Sequence, residues 1–298
     1  MLAEQKLDEV LRWLVALDCT EKHKYTHKLR QEGTCTWFPG TDAYKQWRTG
    51  GNRFLWLHGK GECLLLCDLA RLICHINQRD LSWLRKVGIG VSSPVAQTYI
   101  CTDPYSASTI EHLKNTLEEG EVVIFFYCDF RNERSRNSTE LMRSLLSQLF
   151  RHFDDRGVDP GELPNKILEE KSEGTLSLND FDKLCNLVSR AASFFRYEPI
   201  IVIDALDECV DIEALLRALV TLNKADVRLL VTSRPDQNIA RHFAGLQSLS
   251  LENMAEELAA DIALHVRREV DSHDRLRSAE PVMKSEIHAK LNERAEGR

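Results

Sequence analysis

Three carboxylates crowd one short stretch, PIIVIDALDEC: Asp204, Asp207 and Glu208. The residues before Asp204 are continuously apolar, so they read as a strand buried on both faces with Asp204 at its carboxyl end. Parallel α/β sheets bind their ligands at that edge. An acid held there can bind Mg²⁺ through water, and a second can orient or deprotonate an attacking water. The plain alternative is a solvated acidic turn after a core strand.

Two further stretches bear on the same chemistry. In VRLLVTSRPD a second apolar strand ends at Thr232, Ser233 and Arg234, and Pro235 blocks simple continuation. An arginine in that place can reach the terminal phosphate of a nucleotide; equally, it can pair with Asp207 or Glu208. In FLWLHGKGECLLLCDLA an apolar strand runs into His58, Gly59 and Lys60, as a phosphate-binding loop opens. Such a loop needs glycines, a lysine for the β- and γ-oxygens and a Ser/Thr hydroxyl for Mg²⁺. Here Glu62 puts a carboxylate where phosphate would go, and leucines follow.

The elements that must position these residues follow from periodicity. Helical spacing recurs over residues 7–17, 62–76, 109–119, 137–153, 178–195, 212–222 and 254–270, with Ser138 or Thr139 as an N-cap. Strands are expected over 53–59, 121–130, 199–206, 227–235 and 248–251. Residues 77–108 have no period and several breakers, an unusually long loop for a compact domain. The connector over 29–53 is rich in turn residues but holds Trp37, Phe38, Tyr44 and Trp47, which would pack it onto a neighbouring unit. Strands alternating with helices, with continuous apolar strand cores, predict an α/β fold: a parallel sheet covered on both sides.

Composition narrows the classes. Of 298 residues 43% are hydrophobic and 29% charged, enough for one large α/β domain or a domain with a small appendage. A net charge of −7 with no long basic run argues against a nucleic-acid binder. No apolar run is long enough to span a membrane, and the N-terminus reads as an amphipathic helix instead of an export signal. Nine scattered cysteines without a CxxC pair disfavour a disulfide framework or a zinc site, and Cys63 and Cys67, separated by three leucines, read as buried. A reducing compartment follows, most simply the cytoplasm.

Taken in order, these pieces resemble the fungal NACHT-type P-loop NTPases of the STAND class, including the nephrocystin-like N-terminal module that precedes ankyrin, WD or TPR repeats. The resemblance rests on GTCTWFPGTDAYKQW, FLWLHGK, VIFFYCDF with LMRSLLSQL, IIVIDALDEC, RLLVTSRPD and AADIALHVRREV. It implies a doubly wound parallel sheet of P-loop NTPase type with a helical N-terminal extension, acting as a nucleotide-controlled signalling switch. ATP or GTP with Mg²⁺ would be the cofactor, and protein partners or self-association would carry the output. Under it Asp204 looks like the Mg²⁺-side acid of the Walker B strand and Asp207 and Glu208 like its hydrolytic acids. Arg234 looks like the sensor arginine, and Gly59 and Lys60 like the opening of the Walker A loop, with Lys60 not the catalytic lysine. It also implies a helical pre-NACHT region over 1–50, a core over 51–265, and a truncated C-terminal arm over 266–298.

Two departures from that pattern stand out. Cys35 occupies a connector position where the family usually has glycine. The Walker A loop opens at 57–60, but its matching helix lies at 105–114, with an atypical insert over about 61–104. Inside the insert RKVGIGVSS resembles the missing half, with Val91 where the lysine belongs. A phosphate loop depends on consecutive backbone amides, so two separated halves cannot make one. The insert reads as a translated intron or mis-joined exon, with a lineage-specific insertion as the rival. The expected function is therefore a switch module impaired in nucleotide binding and hydrolysis; the alternative is a non-enzymatic interaction module or a truncated, mis-spliced product.

Overall fold

The expected strands condense onto one sheet because four of them are buried runs, while the short fifth, SLS, stays partly exposed at the edge. The computed structural model describes residues 2–30, 32–59, 104–225 and 227–272, with short helical pieces at 281–282, 284–285 and 288–289. The strands are β1 (Phe54–His58), β2 (Val123–Tyr127), β3 (Ile200–Asp204), β4 (Arg228–Ser233) and β5 (Ser248–Ser250). They form one five-stranded, all-parallel sheet in the order β2-β3-β4-β1-β5. The helices flanking it are α1 (Leu2–Leu14), α2 (Thr20–Leu29), α3 (Asp42–Thr49), α4 (Pro104–Thr116), α5 (Ser138–Arg156), α6 (Leu163–Ser172), α7 (Phe181–Ala192), α8 (Ile212–Leu222), α9 (Gln237–His242) and α10 (Ala255–Ser272). This is the doubly wound α/β arrangement of the P-loop kind, in which the order of strands reverses beside β1 and opens a crevice at the carboxyl edge.

Several expectations are corrected. The first helix ends at Leu14, not Leu17, because Val15 takes a left-handed conformation at φ 44°. The expected connector holds α3, capped by the Thr41 hydroxyl, which accepts from the Tyr44 amide, and α2 precedes it. Helix α4 begins at Pro104, so Tyr105–Ser108 are helical as the family resemblance implies, whereas periodicity alone puts them in a loop. The N-cap of α5 is Asn137, whose side chain accepts from the Glu140 amide; Ser138 is the first helical residue. Lys60, Val91, the helix expected over 62–76 with Cys63 and Cys67, and the insert lie outside the described residues.

The connector aromatics are buried: Phe38, Tyr44 and Trp47 join the same core as the sheet. Tyr44 meets His112 of α4 edge to face at 5.8 Å, and Trp37 meets Tyr105 at 5.7 Å. The geometry at Cys35 matches its departure from glycine. Its φ is +60°, the left-handed region that favours glycine, and its amide donates to Asp261 of α10 at 2.8 Å. The outer edge of β2 is closed by Gln148, whose side chain accepts from the Phe125 amide and donates to the Phe125 carbonyl.

The N-terminal helices are tied to the sheet by polar contacts. His23 of α2 is buried, with Nδ1 2.7 Å from the Tyr127 hydroxyl and Nε2 2.6 Å from Glu111 Oε1. A neutral imidazole satisfies both, donating to the carboxylate and accepting from the phenol. Burial holds the His23 pKa below 6.5, despite Glu111, with Lys114 and His27 acting the same way as burial. Folded His23 thus binds fewer protons than unfolded His23, so its stabilisation is complete above about pH 6.5 and is lost as pH falls through the folded value. Burial shifts His58, His112 and His152 in the same direction. Denaturant unfolding at pH 7.5 and 5.5 is expected to show lower stability at pH 5.5, and His23→Gln to lose less between the two. An equal loss in both proteins would remove His23 from the account.

Candidate nucleotide site at the carboxyl edge

β3 delivers Asp204 to the carboxyl edge because its five residues are all buried and the acid is the last of them. Asp204 is 1% exposed. Its Oδ1 accepts from the Ser106 hydroxyl at 2.6 Å and from the Thr232 hydroxyl at 2.8 Å. Ser106 lies in the first turn of α4, Thr232 at the end of β4, so three elements converge on one carboxylate oxygen. Burial pushes the Asp204 carboxyl up to about 6, against the opposing pull of the two hydroxyls and of the Lys22 ammonium, while Asp207 adds to the rise. At neutral pH it is therefore chiefly ionised.

The chain turns sharply after Asp204. Ala205 is left-handed at φ 54°, an uncommon conformation for a residue with a Cβ. Its amide donates to the Thr232 hydroxyl at 3.1 Å, so Thr232 holds both the acid and the turn. The 3₁₀ turn Leu206–Glu208 then presents the other two acids. Asp207 accepts the Arg234 amide at 2.9 Å, and the Arg234 Nε lies 3.7 Å from its other oxygen. Arg234 therefore pairs with Asp207, with its side chain 51% exposed. Glu208 accepts the Phe130 amide at 3.0 Å. Burial raises its pKa above the usual carboxylate value; the Phe130 amide opposes this, while Asp207, Asp129 and Asp204 reinforce it.

The structure thus brings Asp204, Asp207, Glu208 and Arg234 to one edge. Gly59 is buried immediately after β1, whose His58 pairs in register with Ser233. Lys60 lies outside the described residues. Ser106 was not singled out as a site residue, because periodicity puts it in a loop even though the resemblance places a helix at 105–114, and the loop after β2 was missed as well. That loop is fastened to the acidic turn: the Val210 amide donates to the Arg136 carbonyl at 2.8 Å, and the Cys209 thiol reaches the same oxygen at 3.1 Å. Asp129 in this loop pairs with Lys22 of α2 at 2.7 Å and with Arg131 at 3.1 Å. Among the described residues no group of three or more His, Cys, Asp or Glu side chains is arranged to hold a metal, and the cysteines are free. Among them, too, no helix is long and apolar enough to cross a membrane.

The donor set at Asp204 consists of hard oxygens: one carboxylate and two hydroxyls. That chemistry suits Mg²⁺ rather than a soft metal. No curated protein matches the chain. Residues 105–234 are similar to the family described as Nephrocystin 3, N-terminal; the match opens in the first turn of α4, one residue before Ser106, and closes at Arg234. Asp204 and both hydroxyls that donate to it lie inside it, and what the match supports is a nephrocystin-like module over these residues.

Proposed function

We propose that the chain is a nucleotide-responsive switch module of the NACHT/STAND type, with ATP or GTP and Mg²⁺ at the carboxyl edge around Asp204. One observation carries this reading: the helix that follows the interrupted loop delivers the Ser106 hydroxyl to the acid that ends β3. A serine or threonine hydroxyl and a strand-end aspartate are the two side chains that hold Mg²⁺ in P-loop NTPases. Ser106 and Asp204 would hold the ion here, and Thr232 would fix the carboxylate. Bound Mg²⁺ would supply charge neutralisation at the phosphates.

The remaining residues divide the work. Glu208, raised by burial, is suited to take a proton from water, and Asp207 holds Arg234 at the rim. Binding is weakened and hydrolysis impaired in this reading, because the loop that opens at Gly59 lacks the Lys-Ser/Thr continuation. A module that binds and does not turn over signals through occupancy, with protein partners or a second copy as the receiver. Titration of the purified chain with a fluorescent ATP analogue and Mg²⁺ tests this. Saturable binding is expected, weakened at least about tenfold by Asp204→Ala, the cost of one charge-assisted contact. No Mg²⁺-dependent binding, or binding indifferent to Asp204→Ala, would overturn it.

A further inference from the structure

We infer that Lys22, carried by the N-terminal helix α2, is the cation that faces the phosphates of the bound nucleotide. This rests on the nucleotide reading above and extends it to a residue far from the acidic turn in sequence. A polyphosphate entering this edge meets Asp129, Asp204, Asp207 and Glu208, four carboxylates that repel it. Electrostatic stabilisation of phosphoryl groups requires a positioned cation.

The location of Lys22 follows from its neighbour. His23 is locked between Glu111 and Tyr127, and Tyr127 pairs in register with Asp204. Paired residues of adjacent parallel strands point to the same face, so Tyr127 and Asp204 lie side by side on the face that α4 and α2 cover. Cys19, at the start of α2, is buried as well, so the helix is fixed over the tip of β2. Lys22 then reaches the rim and meets Asp129, with its side chain 21% exposed.

Lys22 is also free to change partner. Asp129 accepts from the Arg131 amide at 3.0 Å and from its guanidinium at 3.1 Å and 3.3 Å, so it keeps a counter-ion when Lys22 leaves. Arg234 is committed to Asp207 through both its amide and its guanidinium. A lysine ammonium on a four-carbon stem reorients more readily than a forked guanidinium.

The plain rival is a structural strap, in which Lys22 only fastens α2 to the β2 loop. The two differ in sign for one variant. The full chain, Lys22→Gln and Asp129→Asn are titrated with the fluorescent ATP analogue and Mg²⁺, and their thermal midpoints are measured. Lys22→Gln is expected to weaken binding at least tenfold. Asp129→Asn, which frees Lys22, is expected to keep or tighten binding even where its midpoint falls. Weakening by both variants alike, or no effect of Lys22→Gln on wild-type binding, would overturn the assignment and leave the nucleotide reading intact. Absence of binding by the unaltered chain overturns the nucleotide reading, and this assignment with it.

Discussion

Trp47→Ala is expected to cost about 3–5 kcal/mol, the usual range for truncating a fully buried tryptophan. Trp47 is 0% exposed and stands in α3, a helix of only eight residues. Its ring packs on Tyr44 with centroids 5.4 Å apart, and its indole N–H donates to the Leu229 carbonyl of β4 at 2.8 Å. The Trp47 carbonyl in turn accepts from the Arg228 guanidinium. Truncation therefore opens a cavity, takes the indole donor from a strand carbonyl and removes one anchor between the N-terminal region and the sheet. Two of these costs add: cavity formation, and a lost buried hydrogen bond worth about 1 kcal/mol. Against a typical total of about 5–15 kcal/mol the loss is large. Urea unfolding should show the midpoint falling with an unchanged slope. Trp47→Phe separates the two costs, since it keeps most of the ring and loses only the N–H; about 1–2 kcal/mol is expected. If the two variants unfold alike, the cavity contributes little and the hydrogen bond to β4 dominates.

How far such features are legible in sequence depends on what stabilises them. β3, β4 and α8 can be read almost to the residue because each is an apolar run bounded by a charge or a turn, and burial alone decides them. The acids at 204, 207 and 208 come with β3, since an acid ending a buried strand must lie at the sheet edge. α2 is a different case. Its sequence TEKHKYTHKL has almost no apolar periodicity, and it is held by His23, Lys22 and the buried Thr26. α3 likewise offers only Tyr44 and Trp47 to the core. Helices of this kind carry no hydrophobic stripe, so their partners, 88 to 107 residues away for His23 and Lys22, supply the signal that the sequence lacks. Ser106 was hidden for a related reason. The periodicity of PYSAS does not favour a helix over a loop; only the family resemblance places one at 105–114, and the role of Ser106 emerges once Asp204 and Thr232 receive its hydroxyl.

Glu140 is expected to be the other costly position, because it holds the joint between α1 and α2. The joint is strained: Val15, a β-branched residue, sits at φ 44° and is 61% exposed. Glu140 of α5 is buried and accepts the Leu17 amide at 2.7 Å and the Arg134 guanidinium at 2.7 Å, while its other oxygen meets Arg143 at 3.0 Å. Arg143 in turn donates to the Leu14 carbonyl, and both arginines donate to the Val15 carbonyl, so the open end of α1 is capped by guanidinium groups that Glu140 aligns. Glu140→Ala leaves Arg143 nearly buried without its carboxylate and the Leu17 amide without an acceptor. Breaking a buried pair costs about 3–5 kcal/mol, and the half-exposed Arg134 contributes little, so about 3 kcal/mol is expected. Glu140→Gln keeps an acceptor for Leu17 and loses only the charge, so a smaller loss is expected. The distinguishing readout is local. Hydrogen exchange should speed up across residues 2–29 in Glu140→Ala while β3 and β4 keep their protection, because the sheet does not depend on the joint. Uniform loss of protection would mean that α1 and α2 fold as one unit with the sheet. If α1 and α2 loosen alone, Lys22 loses its fixed place at the rim, and nucleotide binding should weaken in Glu140→Ala although no residue of the site has been changed.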